Sequence, residues 1–102
     1  MSEVMLQVNF NYGVSTEEYV KAVTPLAEKF ANLSGLKWKV WTLNPENKEA
    51  GGILMFENQA TVDAYLAGPL AETVTSHPAL SNFSVKQFNI MEDVTKTTRG
   101  PI

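Results

Sequence analysis

The sequence predicts an α+β domain on the ferredoxin-like plan, β-α-β-β-α-β, with a four-stranded antiparallel sheet carrying its helices on one face. Three observations predict it. Residues 4–11 alternate, with Val4, Leu6, Val8 and Phe10 on one side and Met5, Gln7, Asn9 and Asn11 on the other. Ser15-Thr16-Glu17-Glu18 is a capping box that opens a helix. Two apolar runs, 36–42 and 49–56, are separated only by the polar stretch Asn44-Pro45-Glu46-Asn47-Lys48, which reads as a hairpin loop.

Taken in order, the first strand covers 4–11 and has one markedly apolar face. The first helix places Tyr19, Val23, Leu26, Ala27, Phe30 and Ala31 on one stripe, and Pro25 inside it predicts a kink. Ser34-Gly35 ends it. The second strand sets Leu36, Trp38 and Val40 on one face and Lys37, Lys39 and Trp41 on the other. The third is apolar on both faces, and Gly51-Gly52 within it marks close approach of a neighbouring backbone or side chain. Asn58 caps a second helix carrying Val62, Tyr65, Leu66 and Leu70. Gly68-Pro69 breaks it, and a shorter helical piece continues toward His77-Pro78. The last strand spans about 83–91. Its apolar residues pass from Phe83 and Val85 to Phe88 and Ile90, which predicts a bulge near Lys86-Gln87. Residues 93–102 read as a C-terminal tail of a single domain spanning 1–102.

Strand 3 is apolar on both sides, strand 4 shows both phases and Trp41 opposes Trp38, so the sheet face away from the helices cannot be wholly solvated. A second copy covering that face, as a homodimer, is the expectation.

Composition removes whole classes of chemistry. At 102 residues, 44 % hydrophobic and 19 % charged, the chain is a folded domain rather than a disordered one. A net charge of −3 argues against nucleic acid as a partner. With no Cys and one His, thiolate nucleophiles, iron–sulfur clusters and multi-histidine metal sites are excluded. No Gly-x-Gly-x-x-Gly turn or Walker loop is present, and Gly51-Gly52 does not open a helix, so no phosphate cradle is visible. The expected cofactor is none. No apolar run is long enough for a membrane span, and Met1-Ser2-Glu3 lacks the basic start of a signal peptide, so the expected location is the cytoplasm, without a membrane partner.

In the middle of the chain, Trp38-Lys39-Val40-Trp41-Thr42, Glu49-Ala50-Gly51-Gly52-Ile53, Phe56 and Ala64-Tyr65-Leu66 resemble the YdhR-type mono-oxygenase family. Pro25-Leu26-Ala27-Glu28 in the first helix is similar too. The resemblance runs over about 5–92 and implies a dimeric α+β barrel and a monooxygenase activity. It carries over no catalytic residue.

What elimination leaves is an apolar pocket with a few polar groups. Such a pocket can assist oxygenation of an electron-rich phenol or hydroquinone, because the deprotonated substrate can itself reduce molecular oxygen. The protein shapes the pocket, helps remove a proton and stabilises an aryl oxyanion. The candidate catalytic residues are His77, Asn9 and Trp41. Trp38, Tyr19, Tyr65, Lys39 and Met55 are the candidate substrate-binding ones. His77 is the one side chain that titrates near neutrality unperturbed. Each residue also has a plainer role. Trp38 reads as core packing, and Trp41 as an interface anchor or ligand wall. Tyr19 and Tyr65 read as core or pocket rim, Lys39 as a solvated or interface lysine, and His77 as a helix-end cap. The alternative function is a non-catalytic dimeric module that binds a small apolar ligand.

Overall fold

The structure is a computed structural model and describes residues 3–102. Met1 and Ser2, part of the N-terminal stretch considered above, lie outside them. Four strands, β1 (Val4–Tyr12), β2 (Leu36–Asn44), β3 (Glu49–Phe56) and β4 (Leu80–Asn89), form one antiparallel sheet in the order β2-β3-β1-β4. That is the predicted plan, with β1 and β3 at the centre. The chain returns over one face through α1 (Thr16–Val23), α2 (Leu26–Ala31), α3 (Gln59–Leu66) and α4 (Pro69–Thr75). A further short helix, α5 (Glu92–Thr97), lies in the tail.

Local chemistry sets the helix ends. Ser15 Oγ accepts the Glu18 N–H at 3.1 Å and the Glu18 carboxylate accepts the Ser15 N–H, completing the capping box. Asn58 and Thr61 make the equivalent pair at α3. The Pro25 kink is a full break. The ring removes a backbone donor, the Thr24 hydroxyl donates back to the Val20 carbonyl at 2.6 Å, and a separate helix α2 starts at Leu26.

The β1 alternation holds: Val4, Leu6, Phe10 and Tyr12 are buried beneath the helices. Opposite them on β3, Leu54 and Phe56 are 1 % and 0 % exposed. This core has two lobes, one around Leu6, Phe30, Phe56, Val62 and Tyr65, the other around Phe10, Tyr12, Tyr19 and Ala50.

Two expectations about strand faces are corrected. In β2, Leu36 pairs with Phe56 but Trp38 pairs with Met55, so the ladder slips at Lys37. This bulge inverts the alternation beyond it. Leu36 faces the helices, Trp38 and Val40 turn to the outer face, and Lys39 and Trp41 turn inward opposite Leu54 and Gly52. Trp38 is therefore not core beside Leu36, and Trp41 is not on the outer side. In β4 the slip lies between the pairs Asn9–Ser84 and Asn11–Ser81, with Asn82 at φ 56°, and not at Lys86-Gln87. Phe83 packs inward against Phe10, and Phe88 faces outward beside Met5 because the strand carries apolar residues on both faces.

On the outer face, Trp38, Met55, Met5 and Phe88 form an apolar row across all four strands. The tail returns to this row, where the Trp38 indole N–H donates to the Pro101 carbonyl at 2.9 Å. Met55, between Trp38 and Met5, is 1 % exposed although it points away from the helices. The opposite end of the face is polar, with Asn9 donating to the Glu49 carboxylate and Asn82 to the Asn11 side chain.

Candidate functional site

The β2 bulge determines what lines the helix side of the sheet. With Lys39 and Trp41 turned inward, the Lys39 ammonium sits 3.4 Å from the centre of the Phe30 ring and 3.6 Å from that of Trp41. Phe30 and Trp41 meet edge to face at 5.4 Å. Gly52 leaves room for the lysine stem, since a Cβ there would lie 2.8 Å from Lys39 Cε. A cavity of about 30 Å³ lies between sheet and helices, lined by Lys39, Trp41, Tyr19, Tyr65, Phe30, Gly52 and the aliphatic side chains of Val8, Val23, Leu26 and Leu54 among others. No carboxylate is among these residues.

Three polar side chains meet that apolar lining. Burial brings Lys39 down from 10.5 to about 7, while the two ring faces pull in the opposite sense by favouring the ammonium. Burial pushes Tyr65 up to about 12, and burial together with the neighbouring Tyr12 does the same for Tyr19. Both phenols remain protonated donors wherever the protein is folded near neutral pH. Tyr19 is fixed by stacking on Tyr12 at 4.7 Å, and Tyr12 in turn bonds the Thr16 hydroxyl at 2.7 Å. Tyr65 is wedged between Phe30 and Phe56.

These shifts give folding stability a pH dependence whose sign follows from proton counts. Between about 7 and 10.5 the unfolded chain keeps the Lys39 proton and the folded one releases it, so stability rises with pH across that window. Between 10 and about 12 the unfolded phenols ionise first, so stability falls. Urea midpoints should therefore peak near pH 10. In the Lys39→Met variant the rising arm, up to about 1.4 kcal/mol per pH unit, should flatten while the falling arm remains.

Four of the eight sequence-predicted residues, Tyr19, Tyr65, Lys39 and Trp41, thus meet at one cavity. His77 lines a neighbouring groove of about 210 Å³ between α1 and α4, which shares Tyr19, Val23, Leu26 and Val74 with the cavity. Its Nδ1 accepts the Ala79 N–H at 3.1 Å, so the neutral ring carries its proton on Nε2 and presents a donor. Asn9, Trp38 and Met55 lie on the outer face and are not brought to this cavity. Phe30 went unassigned by sequence reasoning, whereas Gly52 was expected only to mark the close approach of a neighbour, which here is the Lys39 stem. The signal for Gly52 was a second glycine in a strand facing a lysine-bearing neighbour. For Phe30 no pattern separates a cation-holding ring from a core ring. No group of three or more His, Cys, Asp or Glu side chains converges among the described residues.

A ferredoxin-like sheet with a small, mainly apolar cavity does not by itself define one reaction. The family is given by sequence: residues 5–101 match the family described as "Putative mono-oxygenase ydhR", and the chain belongs to it. Among solved structures the chain is similar to SnoaB, a cofactor-independent oxygenase from Streptomyces nogalater. The identity is 18 %, the alignment covers 90 % of this chain and 96 % of SnoaB, and the TM-score is 0.74. It is also similar to protein SO0527 from Shewanella oneidensis at 13 % identity, covering 87 % of this chain and 91 % of that one, with a TM-score of 0.73. Both likenesses are of fold. No curated protein matches the sequence. Among the described residues no helix is long and apolar enough to cross a membrane.

Proposed function

We propose that this chain is a monooxygenase-like enzyme that needs no cofactor and oxidises small phenol- or hydroquinone-type compounds at the Lys39 cavity. The observation that carries the reading is an amine held inside an aromatic lining with two protonated phenols and no carboxylate. A neutral Lys39 takes the substrate's phenolic proton, and the ammonium so formed holds the aryl oxyanion. Tyr19 and Tyr65, protonated phenols lining the same cavity, share that charge as donors in this reading. The oxyanion passes one electron to dioxygen, and the aryloxyl radical and superoxide combine at a ring carbon that bears hydrogen. The peroxide takes a proton back from Lys39. Loss of the ring hydrogen with cleavage of the O–O bond then releases water and leaves a quinone. One oxygen atom ends in the product and the other in water, with the substrate supplying every electron. Membership of a mono-oxygenase family and the fold shared with SnoaB support this reading.

A cavity of about 30 Å³ holds one water, whereas about 150 Å³ holds benzene. The aromatic ring therefore enters only when the wall formed by Tyr19, Val23 and Trp41 moves. On the far side of that wall is an open groove of about 320 Å³ sharing those three residues. Oxygen uptake above the buffer rate, with a naphthol or hydroquinone and undiminished by chelators, is the expected result. Saturable binding of the same compounds without uptake would replace the enzyme by a ligand-binding module.

A second copy is the proposed occupant of the outer sheet face. Val40 and Phe88 on that face, and Met91 just beyond β4, are 53 %, 44 % and 73 % exposed. Burying a face of this kind fits an interface of about 2,000 Å². Light scattering at micromolar concentration should give twice the chain mass of 11.3 kDa. A persistent monomer would remove the dimer.

A further inference from the structure

We propose that Lys39 is also a nucleophilic amine that captures small aromatic aldehydes as an imine, in the groove between α2 and the edge strand β2. Lys39 lines two spaces at once. On one side is the interior cavity, and on the other an open groove of about 340 Å³ walled by Phe30, Leu36, Trp38 and Trp41. The groove is more than twice the roughly 150 Å³ that holds benzene, and its aromatic and aliphatic walls match an aryl ring. The amine is thus reachable from solvent through this groove.

Among the described residues, what favours its cationic form is the pair of Phe30 and Trp41 ring faces rather than a carboxylate. No carboxylate lines the cavity or the groove. On its own strand Lys37 lines the groove and is ion-paired with Glu3, so that carboxylate is engaged elsewhere. Tyr19 on α1 and Tyr65 on α3 face the cavity as neutral phenols, while α2 and β3 present Phe30 and Gly52. The ordinary fate of a surface lysine, a solvated ammonium, is therefore weakened here, in line with the downward shift of its pKa.

The step balances without an oxidant or reductant. The Lys39 nitrogen lone pair forms a C–N bond to the aldehyde carbon and the carbonyl oxygen takes up the proton released by nitrogen. That hydroxyl then takes up the second N–H proton, relayed through groove water, and leaves as water while the nitrogen lone pair closes the C=N bond. The inference stands apart from the oxygenase reading, which uses Lys39 as a base and requires dioxygen.

The test is reductive trapping. The protein is incubated with benzaldehyde and cyanoborohydride at pH 7, then measured by intact mass and peptide mapping. The six other lysines are all exposed and serve as internal references. The expected result is a benzyl group on Lys39 at a rate about tenfold or more above any other lysine. That advantage should shrink as the pH is raised to 10, where the surface amines lose their protons. Lys39→Met should show only the slow background, with circular dichroism confirming that it is folded. Even benzylation of all seven lysines, or Lys39 reacting most slowly, would overturn the inference. Selective trapping without oxygen uptake would leave it standing and remove the oxygenase, and uptake without selective trapping would do the reverse.

Discussion

Replacing Lys39 by Met should lower the rate of phenol oxidation by about a hundredfold or more, the usual worth of a positioned proton acceptor. Met is close to lysine in length and apolar, so it can occupy the space against Phe30, Trp41 and Gly52 without leaving a void. It removes the amine and also the cost of burying it, so the variant should be at least as stable as the parent at pH 7. Lost activity together with unchanged or raised thermal stability separates a chemical role from a structural one. In the parent the rate should climb as pH rises through about 7, where Lys39 loses its proton, and this limb should vanish in the variant. A variant that keeps full activity would move the chemistry away from Lys39.

Gly51→Val should be the most destabilising single change in the sheet. A Cβ at residue 51 would sit 1.9 Å from the Val8 carbonyl oxygen and 3.0 Å from Asn9 Cα, both in β1. The clash is with backbone of the other central strand, so no rotamer change relieves it and the β1–β3 ladder must separate. A loss above about 4 kcal/mol is expected, read as failure to fold or as a collapsed urea midpoint. Gly13→Ala is the control. A Cβ there meets only the Ala79 carbonyl oxygen at 3.7 Å, so its midpoint should shift by no more than about 0.5 kcal/mol.

Much of this architecture is legible in the residues. The period of two in β1 has one clearly apolar parity, and the Ser15 and Asn58 caps depend on neighbours within three residues. Such signals are local and survive folding. The faces of β2 are not local. Both parities of Leu36-Lys37-Trp38-Lys39-Val40-Trp41 carry apolar residues, so alternation alone cannot say where a bulge falls. Pairing with β3 decides it, leaving Lys37 between the partners of Phe56 and Met55. That one slip carries Lys39 and Trp41 to the cavity and Trp38 to the outer face. Tyr19 and Tyr65 could be placed on helix faces from the sequence, but their meeting with Lys39 depends on the same slip. The tail helix α5 has no clear periodic signal in its six residues. The return of the tail to Trp38 rests on a hydrogen bond to the Pro101 carbonyl 63 residues away, which no pattern announces.

The most direct measurement of the central claim follows the fate of isotopically heavy dioxygen during turnover of a naphthol or hydroquinone. One heavy atom is expected in each molecule of quinone product and the other in water, with one dioxygen consumed per product and no added reductant. Replacing Lys39 by Met should suppress that labelled product. Product oxygen drawn from solvent water, or labelled quinone forming as fast without the protein as with it, would contradict the account.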